Sequence, residues 1–272
     1  MGLGVVMSDL SDRIDAVRER MRRALARSGR PDGAVLLVAV CKTFPAEVVV
    51  EAARAGLRVF GENRVQEAGV KIPRVEALLG GEHTRADRPR DTGEPPRGTT
   101  VGSHVAGGAL PEGRLSWHLV GHLQSNKAKQ AAALFDMIHS VDDEDLASRI
   151  DRAAAALDRR IEVLAQVNVS GEAAKSGVEP DGLEPLVRAV AARPNLALRG
   201  LMTIPPYDPD PELSRPCFAA LRALGERCLD WLGPEAGPIE LSMGMTEDFE
   251  VAIEEGATIV RVGRALFGER GD

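Results

Sequence analysis

Short apolar runs recur along this chain with amphipathic stretches between them, and that alternation limits the fold more than any other feature. The runs cover residues 35–40, 57–60, 117–120, 137–141, 161–169, 196–202, 239–242 and 258–262. Each is continuous and rich in Val, Ile and Leu, the pattern of strands covered on both faces in a parallel sheet. The stretches between them read as helices at 46–55, from near Asn63, and at 124–134, 143–159, 181–192, 212–232 and 247–255. Eight strands separated by helices predict an α/β fold, a (β/α)8 TIM-type barrel in a single domain. An open doubly wound sheet is the alternative. The length of 272 residues suits the barrel, which takes roughly 250.

Two segments stand outside the rhythm. Residues 8–27 carry Leu10, Ile14, Val17, Met21, Ala24 and Leu25 at helical spacing, with Asp9 or Ser11 as a cap and Gly29 and Pro31 as a stop. This predicts an N-terminal helix ahead of the barrel. Residues 1–7 read as an N-terminal extension, and 8–272 as the barrel domain. Residues 80–114 are dense in Gly and Pro, with five arginines and no Phe, Trp or Tyr. Such a stretch buries too little apolar area to offset its ordering entropy, so a flexible insertion is expected there.

Composition narrows the function. A net charge of −7 argues against a nucleic-acid partner, because phosphate backbones need a basic face. Cys41, Cys217 and Cys228 show no paired spacing, which argues against a disulfide framework or zinc site and for reduced cytoplasmic thiols. The apolar run at 3–7 is far too short for a membrane span and lacks the basic flank of a signal peptide.

In barrels the chemistry sits at the C-terminal ends of the strands. There the chain places Lys42, Asn63, His118, Ser140, Asn168, Thr203, Ser242 and Arg261. A lysine directly after a buried strand has its stem in the barrel mouth, where desolvation favours the neutral, nucleophilic amine. Barrel phosphate sites commonly use the loops after strands seven and eight, here "LSMGM" and "RVGRALFG". Ser242 offers a hydroxyl, Gly244 and Gly263 permit close backbone approach, and Arg261 adds charge. A nucleophilic lysine facing a phosphate cradle fits one ligand with both an aldehyde and a phosphate, pyridoxal 5′-phosphate. His118 and His122 share no helix face, so a metal pair is not expected. His139 reads as a packed histidine, and Cys41 as a buried thiol pointing away from Lys42.

These residues lie in motifs that resemble a known family. "VAVCKTFP", "FGENRVQEA", "WHLVGHLQSNK", "HSVDD", "QVNVSGEAAKSG", "LRGLMTIPP" and "LSMGMTEDFEVAIEEGATIVRVGRALFG" resemble the pyridoxal phosphate homeostasis proteins, which are similar to the N-terminal barrel of alanine racemases. The resemblance runs over residues 10–268, outside the insertion. It implies that Lys42 bears the cofactor as a Schiff base, that Ser242 contacts the phosphate, and that Gly263 with the backbone of Arg264 wraps it. Arg261 would face the pyridine nitrogen, Asn63 would form the pocket wall, and Met243, His118 and Asn168 would line the site. Two departures stand out: Arg264 occupies a position where a small residue, often threonine, is frequent, and the insertion is long.

The resemblance implies a protein that holds pyridoxal phosphate for intracellular homeostasis, without turnover. An arginine keeps its proton, so the pyridine nitrogen stays unprotonated and the ring is a poor electron sink. Racemases offset this with a tyrosine base from a C-terminal domain that the 272 residues do not match; Tyr207 is the only tyrosine. A pyridoxal phosphate-dependent amino-acid racemase is the alternative, followed by a cofactor-free barrel enzyme acting on a phosphorylated metabolite. Apo-enzymes receiving the cofactor are the implied partners, with no nucleic acid or membrane, and a cytoplasmic monomer is expected.

Overall fold

The computed structural model describes residues 3–80, 114–172, 175–233 and 236–269, with side chains from Asp9 onward. Eight strands alternate with helices: β1 (Leu36–Val40), β2 (Val59–Glu62), β3 (Ser116–Leu119), β4 (Met137–Val141), β5 (Ile161–Gln166), β6 (Leu196–Met202), β7 (Glu240–Ser242) and β8 (Ile259–Val262). All neighbours pair in parallel, and β8 returns to β1, with Val38 opposite Arg261. The closed barrel is therefore realised, and the open sheet is ruled out. The expected insertion at 80–114 lies, apart from Gly80 and Arg114, outside the described residues.

The helices are α1 (Leu3–Arg27), α2 (Ala46–Arg54), α3 (Val65–Leu78), α4 (Ala128–Leu134), α5 (Glu144–Ala155), α6 (Leu183–Ala191), α7 (Arg215–Leu232), α8 (Phe249–Glu254) and the short α9 (Arg264–Phe267). The predicted stripe of α1, from Leu10 to Leu25, is buried, and α1 packs on α8 and α9. It begins at Leu3, five residues ahead of the expected start. Asp9 is taken up by an ion pair with Arg13 one turn on, so it braces the helix instead of capping it. The second strand also starts later than its apolar run. The Leu57 N–H donates to the Ala52 carbonyl, so Leu57 closes the end of α2 and does not enter the sheet.

Strand alternation divides the core in two. Ala39, Cys41, Phe60, Leu119, Ile138, Val163, Leu201 and Val260 face outward into the shell under the helices. Val38, Val40, Val59, Val120, Met137, Leu164, Met202 and Ile259 fill the barrel itself. A packed barrel interior leaves the ligand only the upper mouth.

The wall has two register shifts: β4 gains a residue on β5, with Ile138 opposite Val163 but Val141 opposite Ala165, and the second lies between β5 and β6. Val163 pairs with Leu198 but Leu164 with Gly200, so Arg199 is the extra residue. A Cβ on Gly200 would stand 2.0 Å from the Glu240 carbonyl oxygen, closer than any side chain tolerates. Gly200→Ala is expected to separate β6 from β7 and cost about 3 kcal/mol, in the range of severe overpacking. Urea denaturation measures this, and a loss of only a few tenths would contradict the close approach.

Candidate cofactor site

A cavity of about 470 Å³ opens beyond the C-terminal ends of the strands, within the size range of small-ligand sites. Five of the seven expected site residues line it: Lys42, Asn63, Arg261, Gly263 and Arg264. Lys42 follows β1, and Arg261 belongs to β8, the strand paired with β1. Barrel closure therefore brings together residues more than 200 positions apart.

The backbone beside Lys42 is unusual. Thr43 has φ of +68°, in the left-handed region that β-branched residues avoid. Such strain persists where the surroundings impose it, commonly at functional sites. Behind Asn63 the chain also packs tightly: a Cβ on Gly121 would stand 2.3 Å from the Asn63 carbonyl oxygen.

Arg261 forms the floor. It is 4% exposed, and its Nη1 donates to Ser242 Oγ at 2.7 Å while Nη2 donates to the Thr203 carbonyl at 2.9 Å. Burial lowers its pKa to about 10, with Asp248 pulling the other way, so the guanidinium stays charged at neutral pH. Gly263 caps α9, and a Cβ there would come within 3.2 Å of the Val40 carbonyl oxygen. The Gly263 N–H reaches Thr246 Oγ1 at 3.4 Å. The first N–H groups of α9, at Arg264 and Ala265, have no preceding helical turn to donate to. The Arg264 guanidinium pairs with Glu247 at 3.0 Å, and both residues line the cavity.

Two expected site residues sit elsewhere. Ser242 is fully buried below the cavity, its hydroxyl engaged by Arg261 and lying 2.9 Å from His139 Nδ1. Met243 points the other way, into the shell under α8, and its N–H donates to the Ile259 carbonyl. Of the less central expectations, His118 is buried within the barrel 3.0 Å from His139 Nε2. Asn168 spends its amide on the Glu172 carbonyl and Glu179, bracing the loop after β5. Cys41 is buried in the shell as expected, 3.2 Å from Glu62, and desolvation pushes its thiol pKa well up. The nearby Glu62 carboxylate pairs with Lys71, which also donates to the Cys41 carbonyl at 2.7 Å.

Thr246 lines the cavity, and reasoning from strand ends missed it. The loop after β7 turns back at Gly244, with φ of +90° and no room for a Cβ against Ala252. The turn lifts Thr246 into the mouth, four residues beyond the strand end. The glycine was the available signal. Thr43, Tyr207, Asp208 and Glu247 complete much of the rim, and the buried Asp248 also lines the cavity above the cationic floor. Among the described residues no group of three or more His, Cys, Asp or Glu side chains is arranged to hold a metal ion, and no helix is long and apolar enough to cross a membrane.

A parallel barrel with a lysine at the end of β1 and a polar cradle on β8 defines the class, and the sequence comparisons agree. The family description "Alanine racemase, N-terminal domain" matches residues 13–271. A pyridoxal phosphate homeostasis protein of Aquifex aeolicus is 40% identical over 259 residues, 95% of this chain and 97% of its own. One from Pseudomonas aeruginosa is 41% identical over 264 residues, 97% of each chain. The chain belongs to the pyridoxal phosphate homeostasis protein family.

Solved structures are consistent with this. PipY of Synechococcus elongatus, solved with PLP bound, is 34% identical with a TM-score of 0.71, covering 95% of this chain and 100% of its own. A protein of Bifidobacterium adolescentis described as unknown has a TM-score of 0.81 at 34% identity, with 98% of each chain covered. An alanine racemase of Clostridium difficile shares the fold at 13% identity, with a TM-score of 0.57 and 57% of that chain covered.

One pH dependence follows from the floor of the site. His139 is held neutral well below its usual pKa, first by burial and then by His118 and Arg261. The unfolded chain binds a proton there that the folded chain refuses. Stability attributable to His139 is therefore present above about pH 6.5 and declines as pH falls, by up to about 1.4 kcal/mol per unit. His139→Asn should flatten the acid limb of the stability–pH curve, and an unchanged slope in urea melts between pH 4 and 7 would count against a neutral buried imidazole.

Proposed function

We propose that this chain binds pyridoxal 5′-phosphate in the cavity as a Schiff base on Lys42 and serves homeostasis of the cofactor in the cytoplasm, not turnover. The observation that carries the reading is that Lys42 lines the same cavity as Arg261, Gly263 and Thr246. The donor set fits three of the cofactor's polar groups, the aldehyde, the phosphate and the ring nitrogen. An amine meets the aldehyde, and the Thr246 hydroxyl with the first N–H groups of α9 suits the phosphate. A permanently charged guanidinium suits the ring nitrogen. When bound, the cofactor supplies an electrophilic aldehyde and a ring able to delocalise charge.

The chain's own residues favour retention over reaction. Arg261 donates hydrogen bonds and accepts none, so it leaves the ring nitrogen unprotonated and the ring a weak electron sink. A racemase also needs a second proton-transferring group across the cavity from Lys42. The one tyrosine on the rim, Tyr207, is 79% exposed, a poor setting for a positioned base. Ser242, assigned to the phosphate by resemblance, acts in this reading through Arg261, and Met243 contributes packing.

The expected behaviour is a yellow protein in which borohydride fixes the cofactor, with no fixed adduct in Lys42→Ala. A wild-type protein that takes up no added pyridoxal phosphate would overturn the reading. Thr246→Ala should weaken pyridoxal phosphate about tenfold, the scale of one hydrogen bond to a charged group, and leave pyridoxal, which lacks the phosphate, unaffected. Equal losses for both ligands would move the phosphate elsewhere. With L- or D-alanine in deuterated buffer, no inversion is expected; rapid α-proton exchange with inversion would favour the racemase. The reading also includes a monomer that hands cofactor to apo-enzymes, so transfer to an apo-enzyme should outpace release into buffer.

A further inference from the structure

Beneath the cavity runs a buried chain of side chains that holding a cofactor does not by itself require. Arg261 Nη1 donates to Ser242 Oγ, His139 Nδ1 lies 2.9 Å from that oxygen, and His139 Nε2 lies 3.0 Å from His118 Nδ1. None of the four residues is more than 4% exposed. The two histidines come from β3 and β4, on the far side of the barrel from β7 and β8.

Counting protons fixes the direction of this chain. A guanidinium only donates, so Ser242 Oγ must accept from Arg261. The hydroxyl keeps one proton of its own. If His139 carried its proton on Nδ1, Ser242 would accept twice, and its proton would be buried with no acceptor among the described residues. In the other arrangement Ser242 donates to His139 Nδ1, and His139 donates from Nε2 to His118 Nδ1. Every hydrogen bond in the chain is then made, as buried polar groups require. A doubly protonated His139 is opposed by its burial and by the charge of Arg261.

We infer that His139, backed by His118, is a positioning residue for Arg261: its Nδ1 accepts the Ser242 O–H hydrogen bond, turns the hydroxyl lone pair toward the guanidinium, and so aims Arg261 at the cavity floor. Ser242 then has no proton left for an anion and is a link, not a phosphate donor. Only the effect on the ligand rests on the pyridoxal phosphate reading; the direction of the hydrogen bonds holds in the empty protein.

The test has one arm without ligand and one with it. In the ligand-free protein carrying ¹⁵N-histidine, two-bond ¹H–¹⁵N correlations should show His139 protonated on Nε2 and bare on Nδ1, with the signals assigned by their loss in His139→Asn. The opposite tautomer would overturn the inference. In the second arm, His139→Asn keeps an acceptor near the Nδ1 position and His139→Leu does not. The leucine variant should raise the dissociation constant for pyridoxal phosphate about tenfold, the equivalent of 1.4 kcal/mol, and shift the absorption maximum of the bound cofactor. The asparagine variant should stay within about twofold of wild type on the same scale. Wild-type binding and spectrum in a folded leucine variant, or equal losses in both variants, would overturn the inference. If the leucine variant fails to fold, Ser242→Ala removes the same link and should show the same loss and spectral shift, and wild-type behaviour there overturns the inference. Wild-type protein that takes up no pyridoxal phosphate would defeat the cofactor reading, with the tautomer still deciding the direction of the chain.

Discussion

The Arg261 guanidinium lies inside a closed ring of strands, where an unpaired charge would cost several kcal/mol. Two of its five N–H donors are met from behind and beside it, by Ser242 and the Thr203 carbonyl. Much of the upper barrel follows from keeping that charge. Ser242 has to be small and hydroxylated, His139 has to be neutral, and the apolar filling of Val38, Met137, Leu164 and Met202 has to give way to polar groups at this level. The cavity above inherits a cationic floor from a group that burial alone would not have tolerated.

The fold was legible because both of its periodicities are written in residue type. Continuous Val, Ile and Leu runs mark strands covered on both faces, and all eight form. Their limits shift by up to three residues where a local bond takes precedence, as where Leu57 is drawn into the end of α2. The α1 stripe was legible for the same reason, but its start was not, since a capping residue and the acidic member of a helical ion pair look alike in sequence.

The site was only partly legible. Lys42 and Arg261 stand out because a charge at the end of an apolar strand has few places to go. Ser242 and Met243 do not line the cavity, because a strand end names a height in the barrel, not a direction. Ser242 points inward yet lies one layer too low, and Met243 points outward. Thr246 was hidden by the turn at Gly244, whose geometry depends on contact with Ala252 in a helix that follows. The pairing of His139 with His118 and Ser242 joins three strands, and no spacing within the chain announces it.

The seam between β1 and β8 has a consequence for how the molecule comes into being. It joins the strand formed first during synthesis to the one formed last, the pairing with the greatest loop-closure entropy to overcome. Lys42 stands on one side of it, and Arg261 and Gly263 on the other. A nascent chain therefore displays the lysine long before it owns a place to seat a ligand, and the cavity is assembled at the final act of folding. Occupancy would then mark a finished barrel, and a partly made chain would be poorly equipped to capture the cofactor.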